Sequence, residues 1–226
     1  MTRTVRVAVI DSGVHASHPH VGGVAGGIGV DDDGQLTDDY VDRLGHGTAV
    51  TAAIKEKAPA AAIHVIKVFD RELNATGRAL VAACEQALVS GAEIVNLSLG
   101  TRNPEHEPLL TEVVTRLRAS GAVVIAAGPV DGIRWLPGST AGVWAVTLDW
   151  SVPRDGCKLD RLSSNGAGFR ASGYPRPIPG VPPERNLQGL SFAVANVTGV
   201  VARLLAQAEA GDPASVVARA FERGLL

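Results

Sequence analysis

The chain predicts an α/β fold: three layers, with a mainly parallel central sheet flanked by helices. Three observations carry this. Five short apolar runs are β-branched and nearly continuous, as strands buried on both faces must be. Helical patterns lie between most of them, and strand–helix–strand alternation implies parallel pairing. The 226 residues are 46% hydrophobic, enough for one large core and short for two, so a single domain over 1–226 is expected.

The first run, VRVAVI (5–10), ends in Asp11 and predicts a buried strand. A helix is expected over 47–57, then a strand at IHVIKVF (63–69). Helix 77–90, strand EIVNLSL (93–99), helix 107–119 and strand AVVIAA (122–127) follow. Both helices end in Ser-Gly, at Ser90-Gly91 and Ser120-Gly121, a glycine stop signal. VWAVTL (143–148) is the fifth strand. Residues 151–188 are rich in Gly, Pro, Ser and Arg, and predict ordered irregular structure with short strands. The stretch 190–210 is apolar on almost every side and predicts a buried helix. A short helix near 213–223 follows Gly211-Asp212-Pro213.

Charged residues make up 19% of the chain and the net charge is −2, so nothing marks a nucleic-acid or membrane surface. No uninterrupted apolar run reaches the roughly 18 residues of a membrane span. The N-terminus lacks the basic start, apolar core and cleavage site of a secretory signal. Cys84 and Cys157 are the only cysteines, too few for a disulfide framework, and a reducing cytoplasm is the expected location. Arginine far outnumbers lysine, which suits a GC-rich bacterial genome.

In parallel α/β sheets, ligands gather at the carboxyl ends of strands. Asp11, Gly100, Gly128 and the loop before Ser191 fall there. His46 sits between two glycines at a helix start, in RLGHGTAV. Taken singly, these residues read as caps and turns. Together they supply what acyl transfer needs: a hydroxyl nucleophile (Ser191), a base with pKa near neutral (His46) and a carboxylate that orients it (Asp11). The chain order Asp…His…Ser is that of subtilisin. A nucleotide-binding reading of VAVIDSG fails, because DSGVHAS is not a G-x-G-x-x-G turn.

VAVIDSGVHASHP (7–19), GHGTAV (45–50), VNLSLG (95–100), VVIAAG (123–128) and GLSFAVANVTG (189–199) resemble, in order, the motifs of the subtilisin-like serine peptidases. LSSNGAGFRASGYPRPIPG (162–180) resembles the segment that precedes the serine motif. The resemblance implies a catalytic triad of Asp11, His46 and Ser191. It also implies a substrate-binding edge at Ser98-Leu99-Gly100. The pocket walls are expected to include that edge and the 126–135 loop, with Ala127 and Gly128 as substrate-binding residues and Arg134 or Trp135 as candidate lining.

The chain departs from the family pattern beside the nucleophile. Pro129 replaces the usual asparagine of the oxyanion hole and brings neither a side-chain donor nor an N–H. Leu190 replaces the usual threonine before the serine. The Ser191 N–H remains, and Asn196, the loop after Pro129, or a bound substrate or partner are the further candidate donors. His20 stands at a position where secreted members use a calcium-binding aspartate, and no metal or other cofactor is expected. The acidic run DDDGQLTDDYVD (31–42) does not fit an EF-hand and reads as a solvated loop. Its alternative role is a rim for basic substrate side chains, with Asp38, Asp39 and Asp42 on the non-prime side. Only ten residues precede Asp11, so neither signal nor propeptide is expected. An unguarded broad protease is hazardous in a cytoplasm. The expected function is therefore an intracellular serine endopeptidase with a narrow peptide or protein substrate, such as a precursor or leader peptide, and a candidate activating partner. The other reading is a weak or silent peptide-binding module.

Overall fold

The computed structural model describes residues 3–160, 168–209 and 211–224. Among these, nine strands form one sheet in the order β3-β2-β4-β1-β5-β6-β7-β9-β8. The parallel centre comprises β1 (Arg6–Asp11), β4 (Ala62–Lys67), β5 (Ile94–Leu97), β6 (Val123–Ala127) and β7 (Trp144–Leu148), the five expected strands. The parallel strands β2 (Gly26–Val30) and β9 (Gly168–Ala171) extend it. Antiparallel β3 (Leu36–Thr37) and β8 (Lys158–Asp160) close the two edges.

Alternation along the central strands decides the layers. Val7 and Val9 face one core with α1 (His46–Lys57), α4 (Leu190–Gln207) and α5 (Pro213–Glu222). Ala8 and Ile10 face the other, with α2 (Gly77–Val89) and α3 (Glu107–Ala119). The sheet is therefore covered on both sides, which its continuous apolar strands require. Cys84 and Cys157 are both buried and free. Burial pushes their thiols up, to about 12 and about 11, so both are inert core groups.

Strand β2 is not legible as a strand, because three of its five residues are glycine. Close packing explains the glycines. A Cβ on Gly27 would press into the Tyr40 ring, and one on Gly29 into the Asp39 carbonyl. The predicted 162–180 segment is ordered from Gly168 as β9 and the turns after it; its 162–167 part lies outside the described residues.

Helix α4 is 18 residues long with mean hydropathy 1.4, enough by length and composition to cross a membrane. The helix is used internally: 67% of its span is buried, between α1, α5 and the sheet. Helices α1 and α4 pack along each other, and their N-termini open at the same end of the sheet as the carboxyl ends of β1 and β5.

Candidate active site

Asp11 is the last residue of β1 and is fully buried. Its Oδ1 accepts from the Ser12 N–H at 2.7 Å and lies 2.7 Å from His46 Nδ1. The bond to Nδ1 fixes the ring orientation and leaves Nε2 for proton transfer. Asp11 Oδ2 is buried without a partner.

His46 begins α1, and the glycines around it have physical reasons. A Cβ on Gly47 would collide with the Gly13 carbonyl. Gly45 takes a left-handed φ of 80° at the N-cap and offers no side-chain cap. Asp42 does the capping instead. Its Oδ1 accepts from the Ser12 hydroxyl and from the Leu44 and Gly45 N–H groups, and its Oδ2 from the N–H and hydroxyl of Thr48. The Ser12 hydroxyl in turn accepts from the Gly47 N–H at 2.9 Å. One carboxylate thus ties β1 to the start of α1.

This overturns the expectation of Asp42 as a rim residue: it is 1% exposed. Asp39 is also unavailable as a simple acidic rim, because Arg43 and Lys67 both pair with it. Burial acts to raise the Asp42 pKa, yet the bonds from Thr48, Leu44 and Ser12 hold it below the usual carboxylate value. Burial acts to lower that of His46, but the hydrogen bond and charge of Asp11, with the charge of Asp42, lift it above 6.5 overall.

Ser191 lies in the first turn of α4, where N–H groups have no intrahelical acceptor. Gly189 before it adopts φ 145° and ψ −175°, a region essentially reserved for glycine. Its N–H bonds the Gly173 carbonyl at 2.9 Å. The Ser191 hydroxyl donates to the Ser98 carbonyl oxygen at 3.0 Å, and the Ser98 hydroxyl donates to the Ser191 carbonyl at 2.9 Å. No hydrogen bond joins Ser191 to His46. Behind this reciprocal pair, Thr198 donates to the Asn96 carboxamide oxygen, and Asn96 donates to the Ser98 hydroxyl. Asn96 and Thr198 are fully buried, and the sequence reading missed them. Their signal is a polar residue within the apolar strand IVNL and another in the buried middle of α4.

Donors are sparse on the side where the family resemblance places an oxyanion hole. Pro129 follows β6 and supplies no donor. The next N–H, of Val130, is taken by the Ile133 carbonyl across a tight turn at Asp131-Gly132, where both φ are positive. Asn196 is not a donor to this site, which corrects that expectation. It lies five residues beyond Ser191, about 140° around the helix. Its amide donates instead to the carbonyls of Ser172 and Tyr174. The Ser191 N–H is the donor that remains.

A cleft of about 410 Å³ opens beside these groups and is lined by His46, Ser98, Leu99, Gly100, Ala127 and Ser191. Trp135 also lines it. Gly128 turns away: its N–H bonds the Val146 carbonyl, and its Cα faces β7. Arg134 pairs with Glu107 at the surface. Among the described residues, no three His, Cys, Asp or Glu side chains group as metal ligands.

A parallel α/β sheet with Asp, His and Ser in that chain order at its carboxyl end defines the subtilisin-type class. The subtilase family profile matches residues 2–147, and the chain belongs to that family. It is 30% identical over 217 residues to subtilisin E of Bacillus subtilis (strain 168), covering 91% of this chain and 54% of that protein. Against subtilisin DY of Bacillus licheniformis, identity is 33% over 137 residues, 57% of this chain and 48% of the other. The chain spans about half the length of these relatives. Among solved structures, it is similar to the prenylagaramide maturation protease PagA: 27% identity, TM-score 0.67, covering 93% of this chain and 79% of that one. The fold is also that of the nisin leader peptidase NisP from Lactococcus lactis, with TM-score 0.71 at 17% identity, over 96% of this chain and 82% of that one.

Proposed function

We propose that this chain is a serine endopeptidase that cleaves a narrow class of peptide, such as a precursor or leader, in the cytoplasm. The observation that carries the reading is the Asp11–His46 contact at 2.7 Å, at the mouth of a cleft that also holds Ser191. His46 takes the Ser191 proton through Nε2, Oγ attacks the scissile carbonyl, and Asp11 stabilises the imidazolium. The Ser191 N–H, at the positive end of α4, faces the developing oxyanion. His46 then protonates the leaving amine, and water releases the acyl-enzyme. Likeness over 93% of the chain to a prenylagaramide maturation protease supports the substrate class.

The nucleophile must first leave the Ser98 carbonyl. A substrate strand pairing along Ser98–Gly100 would bring an amide N–H to that acceptor and free the hydroxyl. The test is cleavage of candidate precursor peptides, followed by mass spectrometry, by the parent chain and by Ser191→Ala and His46→Ala. Site-specific cleavage by the parent alone supports the proposal. Equal cleavage by Ser191→Ala refutes it.

The second reading, a silent peptide-binding module that acts with a partner, is favoured by one observation: the Ser191 hydroxyl is directed to a carbonyl while Pro129 and Leu190 deprive the site of donors. Binding without cleavage of the same peptides, with and without candidate partners, would select it.

A further inference from the structure

Trp135 stands on the loop between β6 and β7, and its backbone neighbour Leu136 exchanges two hydrogen bonds with Thr101, each 2.9 Å. This bridge fastens the loop to the segment that continues from Ser98–Gly100. The indole then packs on the bare face of Gly100: a Cβ placed there would sit 3.1 Å from the ring at Cε3 and 3.0 Å from the Leu136 carbonyl. The Arg102 guanidinium covers the ring at 4.9 Å from its centroid. The ring's Nε1 is buried without a partner, so the polar edge is turned away from water.

Position along the edge follows from the nucleophile. Ser191 Oγ lies 3.0 Å from the Ser98 carbonyl, so the residue that carries the reacting carbonyl pairs at Ser98. Gly100, Ala127 and Trp135 are among the residues that line the cleft there. A glycine at the edge would leave depth for a large substrate side chain, and here the indole takes that depth. We infer that Trp135 determines specificity by filling the space for the side chain on the acyl side of the scissile bond. The site then accepts Gly, Ala or Ser there and rejects Leu and Phe. This rests on the peptidase reading for the register of the substrate.

The test reads binding, so it does not depend on catalysis. Acetyl-Ala-Ala-Ala-Xaa acids with Xaa Ala, Leu or Phe mimic the released acyl half. They are titrated by calorimetry into the full chain carrying Ser191→Ala. The Ala peptide is expected to bind at least tenfold more tightly than the Phe peptide. Adding Trp135→Ala should level or reverse that ranking, and Trp135→Phe, which keeps an aromatic plug, should fall between. An unchanged ranking in both double variants overturns the inference, as does binding of none of the peptides to any variant. Failure of Ser191 to react with a fluorophosphonate would sink the peptidase reading instead and leave the ranking measurable.

Discussion

On the acid–base side of the cleft, Asp11, Ser12, Asp42 and Thr48 converge on the start of α1, with five hydrogen bonds to the Asp42 carboxylate alone. On the serine side, Pro129 has neither a side-chain donor nor an N–H and Leu190 has no side-chain donor, Val130 and Asn196 spend their N–H groups elsewhere, and the Ser191 hydroxyl rests on a backbone carbonyl. One half is furnished to hold a base in a single orientation. In the proposed mechanism the other leaves the oxyanion to one backbone donor. On the proposed mechanism, proton transfer and charge stabilisation are thus separable, and turnover should be limited by the second.

The largest effect belongs to the proposed triad. Ser191→Ala should lower kcat by about 10⁶ and Asp11→Asn by about 10⁴, measured on a cleaved peptide. Equal, small losses would break the comparison by placing the chemistry elsewhere. Restoring a donor comes next. The loss of one oxyanion-hole donor costs ~10²–10³ in rate, a value taken from subtilisin itself, so Pro129→Asn should raise kcat by up to about 10² with little change in KM. No gain would mean that the serine half is not the weaker one.

Asp42→Asn should cost about 2 kcal/mol of stability, or roughly 4–8 °C in Tm, by weakening the charge-assisted bonds that cap α1. Because the native Asp42 pKa is lowered, its contribution is present above the unfolded value and lost as pH falls through the native one. The same variant reads the electrostatics. His46 must be neutral to act as base, and its pKa is raised, so activity should climb with pH through a midpoint above 6.5. Removing the Asp42 charge should move that acid limb to lower pH. The smallest expected effect is Ser98→Ala, about 1 kcal/mol in thermal unfolding, because Asn96 loses its buried acceptor while the Ser98 carbonyl stays in place.

The central strands are legible because burial on both faces leaves continuous β-branched runs. Asp11, His46 and Ser191 are legible as candidates because each stands at the end of an element, within two residues of a glycine that the backbone geometry needs. Asp42 is not. Within DDDGQLTDDYVD nothing local distinguishes the one acid that meets Ser12 and Thr48, since its partners lie 30 residues before it and six after it. Strand β2 is hidden for the opposite reason, its glycines answering to Tyr40 and Asp39 rather than to strand propensity. Asn196 was open to correction from helical periodicity alone, which turns it away from Ser191.

The most direct test of an activated nucleophile is intact-mass analysis after incubation with a fluorophosphonate, with Ser191→Ala as control. A single adduct, mapped to Ser191 and absent in the variant, is the expected result. No adduct on the parent chain, even with Pro129→Asn in place, would contradict it.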